Sequence, residues 1–107
     1  MNNSTIKLAH CAIDRIQALH LRPNAALATS GIAMLVRDVS NAIHAGHRII
    51  MQVHPDNVDD VSAMIVGHLA GLSCDDIMSG RLHESDFSKL TDALVLLRDA
   101  NLTLTIR

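Results

Sequence analysis

Aromatic residues are nearly absent from this chain: Phe87 stands alone among 107 residues, without a single Trp or Tyr. That scarcity excludes a stacking platform for single-stranded nucleic acid. Basic charge is not in excess either. Nine Lys and Arg face eleven Asp and Glu, so no electrostatic footprint for duplex DNA is present and no direct nucleic-acid contact is expected. Two cysteines, Cys11 and Cys74, are too few for a disulfide framework. No apolar run approaches the roughly 18 residues of a membrane span. The opening MNNSTIKLAHCAIDRI lacks the basic start and apolar run of a signal peptide. These absences together lead us to expect a cytoplasmic protein that avoids the membrane.

What is present suits a packed aliphatic core. Hydrophobic residues make up 49% and charged residues 19%, which excludes intrinsic disorder. The length fits a single domain over residues 1–107. Full protonation of the seven histidines would turn the formal charge of −2 positive, so the surface should respond to pH below about 6.5.

Periodicity predicts a first helix over residues 4–21. Ile6, Ala9, Ile13, Ile16 and His20 fall on one stripe, and Ser4 is its candidate cap. Pro23 disfavours helix at Arg22 and marks the end. The stretch from Arg22 to Gly31 is expected to be flexible. A second helix over residues 30–45 shows Ile32, Leu35, Val36, Val39 and Ile43 on one face, and Gly46 supplies the left-handed residue that stops it. Arg48 to Val53, bounded by Gly46 and Pro55, predicts a buried strand of a parallel sheet.

A third helix over residues 58–72 turns Val58, Val61, Ile65, Leu69 and Leu72 inward. Asn57 is its candidate cap, with Asp59 and Asp60 suiting the helix dipole. Ser73 caps a short turn through Cys74 to Ser79, stopped by Gly80. A fourth helix follows Ser85, with Phe87, Leu90, Leu94 and Leu97 at helical spacing. Leu102 to Ile106 alternates apolar and polar, which predicts a strand. The expected fold class is therefore α/β: small, mostly helical, with about four helices and a short parallel sheet of strands near 48–53 and 102–106. Two strands make a poor sheet alone. Either a further strand hides in residues 23–30, or exposed edges pair with another chain.

In this layout the stretch from Ile32 to Ile106 resembles part of the RecA-like motor domain of the bacterial replicative DNA helicase, the DnaB family. Ile32 to Met34 and Asn41-Ala42 match the family's P-loop helix. Gly46 to Met51 resembles its next strand, and Val61 to Leu72 the helix after it. Ile77 to Leu82, followed by Glu84 to Leu90, resembles the family's run I-x-[ST]-G-x-L with a downstream acidic-aromatic-leucine motif. Gly80, Arg81, Leu82, Phe87 and Leu90 occupy the motif positions, with Phe87 in the aromatic place. From Arg48 to Ile106 the two patterns align without a gap. The match covers only a minor part of a helicase motor domain.

What this pattern lacks decides its chemistry. A phosphate cradle needs G-x-x-x-x-G-K-[ST], so that backbone amides and a lysine hold the phosphates. Here Ala28-Thr-Ser-Gly31 stands in that place, and the two lysines, Lys7 and Lys89, lie elsewhere. Where the family places the acidic residue that activates water stands Pro55. The resemblance thus implies a fold fragment (residues 30–107, behind an N-terminal helix within 1–22) and the company of a replicative helicase, without ATP hydrolysis or unwinding. The expectation is a non-catalytic interaction or regulatory module linked to replication, with no cofactor, that is a homo-oligomer or binds the replicative helicase. The alternative is a homodimeric structural or regulatory domain unrelated to replication. The first helix has no counterpart in the family. Its stripe, including Ile6, Ile13 and Ile16, either caps the chain's own sheet or packs on a partner.

Other constellations explain themselves locally. His54-Pro55-Asp56 is the tripeptide of J-domain co-chaperones, but here it follows a strand rather than a basic helix and reads as a turn. His10-Cys11 with His20 or His68 lacks the short paired spacings of a zinc site, and His44 and His47 straddle Gly46. Cys74 at a helix start could have a lowered pKa, yet Asp75 and Asp76 beside it would raise it again. Asp56, Asp59, Asp60, Asp75 and Asp76 cap helices and face solvent, or form an acidic patch for a basic partner.

Overall fold

A computed structural model describes residues 12, 14–19, 21–24, 26, 31–100 and 102–106. The fold is mostly helical. Helical residues 14–19 form α1. α2 (Gly31–His44), strand β1 (Ile49–Val53), a 3-10 turn (Pro55–Asn57), α3 (Val58–Leu69), α4 (Cys74–Met78), α5 (Glu84–Asp99) and strand β2 (Leu102–Ile106) follow. The expected stripe residues Ile6, Ala9, Ile13 and His20, and the candidate cap Ser4, lie outside the described residues.

α3 is the centre of the molecule. It packs against α2, α4 and α5, and every residue from Val61 to Gly67 is buried. A helix that is apolar or small all round buries all its faces. The expected stripe residues Val61, Ile65 and Leu69 are buried, and so are Ser62, Ala63, Met64, Val66 and Gly67 between them, because three helices surround α3. The one polar side chain in this run, Ser62, is satisfied because its hydroxyl donates to the Val58 carbonyl 2.6 Å away, one turn earlier. Gly67 makes the packing possible. A Cβ placed there would lie 2.5 Å from Ile77 Cδ1, so α3 and α4 meet at a position that only glycine fits.

Three other glycines stop helices by one device. Gly46, Gly71 and Gly80 have φ of +75°, +82° and +71°. After α2, Gly46 N–H donates to Ile43 O and His47 N–H to Ala42 O. The same pair of bonds recurs at Gly71 (to His68 O, with Leu72 to Gly67 O) and at Gly80 (to Ile77 O, with Arg81 to Asp76 O). This is the Schellman arrangement, which satisfies carbonyls left open at a helix end. α3 therefore stops at Leu69, before the expected Leu72.

β1 runs alongside β2 in the same direction, with Ile49 opposite Leu102 through to Val53 opposite Ile106. Met51 and Val53 are buried, whereas Ile50 is 68% exposed. The reading of residues 48–53 as a fully buried strand is thus corrected: one face of the strand meets the core and the other faces solvent. Among the described residues no third strand extends the sheet. The described part of the 22–31 stretch is held at Asn24. Its N–H donates to Met78 O at 2.6 Å, and its side-chain amide donates to Asp60 Oδ2 at 3.2 Å. Asp60 also receives Arg15 Nε, which ties α1 to the start of α3. No helix among the described residues is long and apolar enough to cross a membrane.

Candidate interaction surface

The Gly80-Arg81-Leu82 segment is built by the end of α4. Ser73 Oγ accepts the Asp76 N–H at 3.0 Å and starts that helix, as its sequence position suggested. Gly80 ends it. Arg81 then folds back, pairing with the Asp75 carboxylate and lying 3.5 Å from Asp76 Oδ1. Leu82 is half-buried against the core. Gly80 and Arg81 thus act as a helix stop and its electrostatic clasp.

α5 begins at Glu84, two residues ahead of the expected start after Ser85. Asp86 is 8% exposed and its Oδ2 accepts the His83 N–H at 2.9 Å. The spacing His83-x-x-Asp86, with an acid three residues past the cap, carried that signal. The buried stripe of α5 is Asp86, Leu90, Ala93 and Leu97. Leu90 is therefore core, whereas Phe87 is 38% exposed. Phe87 borders an apolar groove of about 190 Å³ lined also by Ile16, Gln17, Val66, Leu90, Thr91 and Leu94. Ile16 itself is 3% exposed and belongs to the chain's own core with Ala12 and Leu19. Ile6 and Ile13, the other two residues of the proposed interaction stripe, lie outside the described residues.

On the sheet side, Ile50 stands open on β1. Met34 and Leu35 are exposed on α2, although Leu35 was expected on its buried face, and Val36, Val39, Ser40 and Ile43 form that face instead. The buried Ser40 hydroxyl donates to Val36 O at 2.8 Å.

The chemistry-bearing side chains are occupied structurally. His54 Nδ1 accepts the Asp56 N–H at 3.1 Å and opens the 3-10 turn that leads into α3. This places His54-Pro55-Asp56 in a capped turn. Asn57, the expected cap of α3, makes no side-chain cap bond because that turn precedes the helix. Cys74 is buried, and burial pushes its thiol pKa up. The sequence set a helix-start position, which lowers a thiol pKa, against the neighbouring Asp75 and Asp76, which raise it; in the fold the direction is upward and its cause is desolvation of the thiolate. Among the described residues no three His, Cys, Asp or Glu side chains gather as metal ligands. Of the segment matching the phosphate cradle, Ala28, Thr29 and Ser30 lie outside the described residues and Gly31 opens α2. His10, Cys11 and His20 also lie outside them. Compared with protein-family profiles, with curated proteins and with solved structures, the chain matches none.

Proposed function

We propose that this chain is a non-catalytic, cytoplasmic module with the framework of a replicative-helicase motor fragment, and that it works by binding protein in DNA replication. The partner is a second copy of the chain or a DnaB-type helicase hexamer. In this reading β1 and β2 are the remnant of a wider parallel sheet whose remaining strands have been lost. The observation that carries it is Ile50, 68% exposed on the outer face of a strand whose other face, with Met51 and Val53, packs into the core. Strands of parallel sheets are ordinarily covered on both faces. Neither five-residue strand carries a charge, a proline or a bulge to blunt its edge. The raised Cys74 pKa also supports a non-catalytic role, since a buried neutral thiol is a poor nucleophile.

The same open strand favours a second reading, a homodimeric structural or regulatory domain with no tie to replication. Light scattering behind size exclusion separates the two, using the chain alone and mixed with a DnaB-type hexamer. Detection by refractive index is needed because Trp and Tyr are absent. Co-elution with the hexamer, or its breakdown, is the result expected from a helicase modulator. A dimer that ignores the hexamer retires the replication reading.

A further inference from the structure

We draw no further inference here: the strongest candidate, the apolar groove between α1 and α5 bordered by Phe87, carries nothing because no feature of the structure shows what covers it.

Discussion

Replacing Gly67 with alanine should destabilise the protein, although alanine is the better helix former. The two effects oppose each other and the structure decides between them. In an unobstructed helix interior, Gly to Ala would stabilise by about 1 kcal/mol. Here the added methyl falls within van der Waals contact of Ile77 Cγ1 and Cδ1, the latter at 2.5 Å. Ile77 is 0% exposed, and its β-branched side chain has few rotamers into which it can move. Overpacking of this kind costs about 1–3 kcal/mol. Set against that gain, the net loss should be up to about 2 kcal/mol, or a fall in Tm of up to roughly 10 °C for a domain of this size. Urea and thermal unfolding followed by helical ellipticity report it, since no Trp or Tyr provides fluorescence. A double-mutant cycle isolates the cause. Ile77→Ala alone should cost about 2–5 kcal/mol by leaving a cavity. In that background the nearest side-chain atom left at position 77 is Cβ, 3.5 Å away, an ordinary contact. Gly67→Ala should there become neutral or stabilising. A Gly67→Ala protein stabilised by the full helix-propensity gain of about 1 kcal/mol, or a cycle without coupling, would refute the claim that α3 and α4 touch through this glycine.

Further outcomes follow from the geometry. Gly46→Ala should lose about 1–2 kcal/mol from backbone strain alone, because a Cβ there meets nothing within 4 Å while φ is +75°; urea unfolding reads it. Ser73→Ala should lose about 1 kcal/mol with the cap of α4, and Ser73→Asp should retain most of it in the same assay. In a Cys11→Ser background, Cys74 should react with iodoacetamide far more slowly in the folded protein than in urea, and equal rates would contradict its burial. Because its folded pKa is raised, its contribution to stability is complete below the unfolded value and is lost as pH rises past about 9, where the unfolded chain forms thiolate first; unfolding midpoints of Cys74 and Cys74→Ala proteins between neutral and alkaline pH test that sign. Ile50→Lys should leave folding intact while abolishing self-association or helicase binding, as light scattering would show.

The legible part of the fold lay where one local rule dominates. Gly46 follows an apolar stripe and Gly80 closes the short turn that Ser73 caps, so both stops are readable in the sequence. Positions set by neighbours were harder. Val61, Ile65 and Leu69 give α3 a stripe, but Ala63, Met64 and Gly67 are buried too because three helices surround it. Periodicity finds the most apolar face and does not count the partners. On α5 the buried stripe runs through Ala93 and leaves Phe87, 38% exposed, at the rim. Arg15 and Asp60, 45 residues apart, form a tie that no local pattern encodes. For the surface, the motif residues Gly80, Arg81 and Leu90 have structural roles in this chain, and Ile50 became notable only once the open side of the strand was seen.

Sedimentation velocity with interference optics, at about tens of micromolar, tests the central claim most directly. The parent chain and the Ile50→Lys variant are compared, each alone and with a DnaB-type hexamer. The account predicts that the parent self-associates or travels with the hexamer through the open face of β1, and that Ile50→Lys does neither while keeping its helical ellipticity. A dimer that ignores the hexamer keeps the interface but retires its link to replication. A parent chain that stays monomeric and leaves the hexamer unchanged would contradict it.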